Sequence, residues 1–158
     1  TTEIYTLSLH DALPIYIKVK ALAWIEDGDS IFVVAMFDSV DGAYYRPIGG
    51  SVEYGETGKQ TVKREFMEEL NAEIDVTGEP LILENLFTCD GKFGHEIDLI
   101  FPAELVDKAF YERKTYSLVE ANGEEFEAMW VLKADCLSGK LCLVPEPLLE
   151  WCKGQDKR

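Results

Sequence analysis

The chain has 158 residues, with 30 acidic against 15 basic side chains and a formal net charge of −15. That balance disfavours nucleic-acid backbones and anionic membranes as partners. It leaves room for a small phosphorylated substrate, because a bound cation inverts the local field.

No apolar run approaches the length of a membrane span, and a cytoplasmic protein is expected. The opening "TTEIYTLSLHDALPI" resembles one reading frame of a common sequencing adapter through residues 1–15. It is set aside from fold reasoning, and His10 with it. A single domain is expected over residues 16–158, a length that suits one sizeable core. Without Glu3 and Asp11 that span keeps 28 acids and a net charge of −13. Cys89, Cys136, Cys142 and Cys152 form no CxxC, and His95 is the one histidine left, so a zinc site is disfavoured and reduced thiols are expected.

In chain order, "YIKVKALAWIEDGD" predicts a strand ending in a turn, with Ile17, Val19, Ala21, Ala23 and Ile25 on one side. "SIFVVAMF" predicts a buried strand and "DSVDGAYY" a loop. The Gly-rich "RPIGGSVEYGE" predicts a loop or irregular strand. "TGKQTVKREFMEEL" predicts the best helix, opened by a capping box of Thr57 and Gln60 and closed at Asn71, which tolerates left-handed geometry. "AEIDVT", "LILENLFTC", "HEIDLIFPAEL" and "EFEAMWVLK" follow as strands, and "PEPLLEWC" as a short helix. Strands with a few helices between them point to a mixed sheet with helices packed on it.

The helix carries an unusual charge pattern. At about 100° per residue, with Val62 at zero, Phe66 falls near +40° and Leu70 near +80°. Glu69 falls at about −20°, Glu65 at −60° and Glu68 at −120°. The acids thus form a strip that abuts the apolar stripe, and Glu69 should be partly desolvated. A solvated charged face would set its acids opposite the core. Carboxylates crowded at a desolvating edge raise one another's pKa unless a cation neutralises them, and oxygen-only ligands suit Mg²⁺ or Mn²⁺.

The wider segment "GSVEYGETGKQTVKREFMEELNA" resembles the Nudix box through Gly50, Glu56, Arg64, Glu65, Glu68 and Glu69. Such a coincidence has a chance of about 10⁻⁴ over all starting positions. Asn71 stands where the family has glycine and Ala72 where it has a bulky aliphatic residue; Asn is the commonest substitute where φ must be positive. The resemblance implies an α/β fold of the α+β type, a Nudix-like α/β/α sandwich with a mixed β-sheet. It also implies hydrolysis of a nucleoside diphosphate linked to another moiety, with Mg²⁺ as the expected cofactor and Mn²⁺ as a substitute.

Carried over by position, Glu65, Glu68, Glu69 and the Gly49 carbonyl are the implied metal ligands. Arg64 orients the acids by pairing, with Glu56 as its partner, and either Glu65 or Glu68 is a candidate base. A further acid outside the box varies across the family; Glu120, Glu124, Glu125 and Glu96 are the candidates here. Arg46 is the cation placed to meet a phosphate. Tyr44 and Tyr45 could stack on a base, Gly50 would border the substrate, and His95 could touch phosphate or base. The expected partner is a small phosphorylated molecule, and a homodimer stays open.

Two other readings compete. One is a catalytically inactive Nudix-fold nucleotide-binding or sensor module, which would have no need of three mutually repelling acids. The other is an isomerase of isoprenoid diphosphates, which calls for a catalytic cysteine paired with an acid; none of the four cysteines lies near the box in sequence.

Overall fold

The computed structural model of the protein describes residues 15–155, so that His10 and nearly all of the adapter-like segment lie outside the described residues. The architecture is a mixed, mainly antiparallel sheet with a helix on one face and two on the other. Strands β1 (Lys18–Trp24), β2 (Glu26–Asp27), β3 (Ser30–Asp38) and β4 (Gly42–Ser51) precede helix α1 (Gly58–Leu70). Strands β5 (Ile74–Val76), β6 (Leu81–Cys89), β7 (Lys92–Leu105), β8 (Thr115–Val119) and β9 (Glu125–Leu132) follow, then helices α2 (Lys133–Leu137) and α3 (Glu146–Gln155). The sheet runs β5-β7-β1-β4-β3-β9-β8, with β2 on β3 and β6 on β7. Its β1–β7 pair is parallel and the other named pairs are antiparallel. Among the described residues no helix is long and apolar enough to cross a membrane.

Alternation along β1 decides which face meets which helix. Ala21 and Ala23 join Ile48, Val62 and Phe66 in the core beneath α1. Leu22 faces the other way and packs with Ile100, Leu148 and Cys152 under α3. Val62 and Phe66 are fully buried, as the helical phase of the sequence requires. Of the residues expected on one side of the first strand, Ala21, Ala23 and Ile25 are core, whereas Ile17 and Val19 are exposed.

Two segments differ from the sequence reading. "DSVDGAYY" narrows to a turn, and Gly42–Ser51 is one continuous strand despite its three glycines and Pro47. Pairing with β1 on one side and β3 on the other supplies what local propensity lacks. In "SLVEANGEE", which carries Glu120, Glu124 and Glu125, the first three residues end β8 and the last begins β9.

Two hairpin turns are bolted together near β4. Asp38 accepts the backbone amides of Val40, Asp41 and Asp90, and Asp90 in return accepts the amide of Ser39 at 2.9 Å. Those amides, Asp41's foremost, hold the Asp38 carboxyl well below the usual carboxylate range.

The capping box of α1 is present as expected: Gln60 N donates to Thr57 Oγ1 at 3.1 Å, and Thr57 N to Gln60 Oε1 at 2.9 Å. Asn71 ends the helix at φ 50 and ψ 40, in the left-handed region. Asn71→Gly is therefore expected to change stability by less than about 1 kcal/mol, while Asn71→Val costs roughly 1–2 kcal/mol because its branched side chain resists positive φ. Equilibrium urea unfolding of both variants checks this; a larger loss in the glycine variant would give the Asn71 side chain a role beyond the cap.

Candidate active site

The loop before α1 and the helix itself are joined by one side chain. Arg64 donates from Nε to Glu56 Oε2 at 2.8 Å and from Nη2 to Glu56 Oε1 at 3.0 Å, a two-point clasp. Its Nη1 reaches Glu65 at 3.0 Å and Glu68 at 3.2 Å, and Nη2 also meets the Ser51 carbonyl at 3.3 Å. Thr61 Oγ1 donates to Glu56 at 2.5 Å. Arg64, then Thr61, pulls the Glu56 carboxyl down to about 2. The arginine's own pKa rises through the same bonds.

The three helical acids lie where the helical phase predicts. The Glu65 side chain is only 14% exposed, and Glu68 is 55% exposed. Glu69 is half-buried, and burial is the largest cause that pushes its carboxyl up to about 8. A hydrogen bond to the Glu65 carboxyl and the charges of Glu65 and Glu120 push in the same direction, while Arg46 opposes them. Burial and the neighbouring carboxylates thus favour the protonated form of Glu69.

β4 makes room for this pair. A Cβ at Gly50 would fall on the Glu65 carboxylate, and one at Gly49 would fall on the Ala21 carbonyl oxygen. Gly50 therefore brings the backbone of β4 against Glu65, and Gly49 brings it against β1, where a larger residue would hold the strand away.

Among the described residues no three His, Cys, Asp or Glu side chains are gathered closely enough to hold a metal ion. Glu65 and Glu68 are turned to Arg64, and Glu69 to Glu65. The donor set nevertheless fits a hard divalent cation: carboxylate oxygens, glycine backbone beside them, and a half-buried Glu69 whose charged form a cation would favour.

Beside the acids opens a cavity of about 450 Å³. Arg46 links the two, since it lines the cavity, pairs with Glu120 at 3.6 Å and acts on Glu69. Glu96 and Tyr44 line the cavity as well. Tyr45 does not; it points to the opposite side, where it packs with Val33 and Leu143. His95 is the cross-strand partner of Leu86 and lies 3.5 Å from Glu84, away from the cavity. Of the late acids, Glu120 reaches the site, Glu124 bonds Asn122 in its own turn, and Glu125 is an exposed strand residue.

Lys20, Asn85 and Asp98 also line the cavity and were not singled out from the sequence. Burial, followed by the charge of Arg46, lowers the Lys20 pKa. Burial raises that of Asp98 to about 6. The one sequence signal was an aspartate inside the apolar strand "HEIDLIF".

The family model of the NUDIX domain matches residues 17–152. This chain belongs to the NUDIX family. Its fold is similar to that of a NUDIX hydrolase from Nitrosomonas europaea, at 20% identity and a TM-score of 0.58, over 88% of this chain and 87% of the other. It is also similar to the E. coli ORF135 protein, at 24% identity and a TM-score of 0.56, over 86% and 88%. A mutator MutT protein from Bacillus halodurans matches at 20% identity and a TM-score of 0.52, over 85% and 80%. No curated protein matches the chain significantly. The mixed sheet between helices is thus the NUDIX fold, and NUDIX hydrolases act on pyrophosphate bonds of nucleoside diphosphate derivatives, generally with divalent cations.

The Glu69 carboxyl gives the metal-free protein a pH dependence of known sign. The folded chain keeps this carboxyl protonated while the unfolded chain ionises it, so stability falls as pH climbs from about 4.5 towards about 8. Thermal unfolding in chelator should show Glu69→Gln at least as stable as wild type at pH 8, with the gap closing at pH 5. A wild type that is the more stable of the two at pH 8 would contradict the raised pKa of Glu69.

Proposed function

We propose that this NUDIX domain is a pyrophosphohydrolase that cleaves a nucleoside diphosphate linked to another moiety, with Mg²⁺ as cofactor and Mn²⁺ as a substitute. The observation that carries the reading is the Glu65–Glu69 pair: two acids forced together at the edge of the core, beside an open cavity that Arg46 borders. A divalent cation bound there neutralises phosphate charge and lowers the pKa of the attacking water.

Each residue then has a task of its own. Glu65, Glu69 and the Gly49 carbonyl hold the cation, and Glu68 supports a further ion. Arg64, clasped by Glu56, fixes the directions of Glu65 and Glu68. Arg46 and Lys20 meet phosphate oxygens from the cavity side. The water oxygen bonds to phosphorus as the bridging P–O bond breaks, and the water proton passes to a carboxylate. Glu65, Glu68 and Glu120 are the acceptors within the site. The products are a nucleoside monophosphate and the phosphorylated remainder.

The test is turnover by the full chain, with and without Mg²⁺, on dNTPs, ADP-ribose, nucleotide sugars and dinucleoside polyphosphates, with products separated by chromatography. A nucleoside monophosphate that forms only with the metal is expected. Glu69→Gln should leave less than about a tenth of the activity in a folded protein. Activity above that level would remove Glu69 from the metal site, and silence across the panel from a folded, Mg²⁺-binding chain would favour a sensor module.

A further inference from the structure

The sheet face turned towards α3 changes character along its length. At one end Leu22, Ile100 and Leu148 form an apolar cluster under the helix. Further along the same strands the positions of the same phase hold Lys20, Asp98, Glu96 and Asn85. Lys20 is the register partner of Asp98, and Asn85 that of Glu96. These four side chains form one polar floor of the cavity described above.

Asp98 is the residue of that floor which folding alone does not explain. It is 1% exposed, and its Oδ1 has no hydrogen-bond partner among the described residues. Burying an acceptor unpaired costs stability, and an apolar residue would pack at this point of the strand without that cost. Asn85, 7% exposed, adds an amide with both donor and acceptor capacity on the neighbouring strand. Tyr44 and Phe87 contribute aromatic surface to the walls. The Phe87 ring lies against Gly94, where a Cβ would strike it, so the glycine lets the ring pack down on its neighbour. The volume, about 450 Å³, is in the range of small-molecule sites.

Of the two cations of the cavity, Lys20 belongs to the floor beside Asp98, and Arg46 borders the acids of the helix. Arg46 pairs with Glu120 and acts on Glu69, and the Lys20 ammonium feels both Arg46 and Glu120. Beside Lys20 the floor still holds two carboxylates, Asp98 and Glu96, and the buried Oδ1 of Asp98 has no partner among the described residues. A ring that presents an N–H₂ group meets these carboxylates favourably. Uracil and thymine present their one N–H recessed between two carbonyl oxygens, which the carboxylates repel.

We propose that Asp98, with Asn85 beside it, is the specificity-determining pair of this site, reading the edge of a nucleobase and selecting bases with an exocyclic amino group over uracil and thymine. The proposal rests on the nucleotide chemistry given above and names which nucleotides the site takes.

Equilibrium binding separates it from catalysis. Isothermal titration of the full chain with CMP and with UMP needs no turnover. CMP should bind wild type on the order of tenfold more tightly than UMP, the cost of facing a buried acceptor with a carbonyl. In Asp98→Asn, whose amide offers a donor in place of the second acceptor, the ratio should collapse towards one or invert. The variant's thermal unfolding, compared with wild type, shows that it is folded. If it does not fold, Asn85→Leu should weaken CMP binding by a similar factor while leaving UMP binding near wild type. Equal affinity of wild type for both nucleotides, binding of neither, or a preference that survives in Asp98→Asn would each overturn the proposal. Selective CMP binding without turnover of any nucleotide would instead leave it standing and remove the hydrolase reading.

Discussion

The guanidinium of Arg64 is the interaction on which the site depends. From one side chain it reaches the loop before α1 through Glu56, the end of β4 through the Ser51 carbonyl, and the helix's own acids Glu65 and Glu68. A single lysine could not do this, because an ammonium has no planar fork to grip Glu56 at two points while facing other partners. Both acids on the helix are therefore aimed by a group that never has to leave the protein. Glu56, anchored a second time by Thr61, keeps the arginine from swinging free.

Glu69 shows the cost of that arrangement. Arg64 directs its donors to Glu56, Glu65 and Glu68, so the Glu69 carboxyl is opposed only by the charge of Arg46, and burial with the neighbouring acids still raises its pKa. The core of α1 requires Val62 and Phe66 to be buried, and the helical repeat then fixes Glu69 next to them. Stability and function pull in opposite directions at this residue. A carboxyl whose charge burial disfavours is one that a bound cation would relieve.

The cavity is a consequence of strand pairing more than of any motif. β1, β6 and β7 bring Lys20, Asn85, Glu96 and Asp98 onto one face through their register, and β4 adds Tyr44 and Arg46. The reciprocal bonds of Asp38 and Asp90 tie the β3–β4 turn to the β6–β7 turn and so fix the mouth of the cavity. A shift of one residue in any of these strands would turn the polar floor to the other face.

The sequence alone determined what is local. The capping box at Thr57, the left-handed end at Asn71 and the strip formed by Glu65, Glu68 and Glu69 all follow from spacing along one helix, where 100° per residue leaves no freedom. The box that they belong to was legible for the same reason. Residues whose role depends on strands far apart in the chain were not legible: Gly42–Ser51 is a strand only because β1 and β3 flank it, and Glu120 approaches Arg46 only through the β8–β9 turn. Tyr44 and Tyr45 are adjacent and chemically alike, yet the pleat sends one to the cavity and the other to the opposite face. Lys20, Asn85 and Asp98 lie on three different strands, and only the register of the folded sheet makes them neighbours.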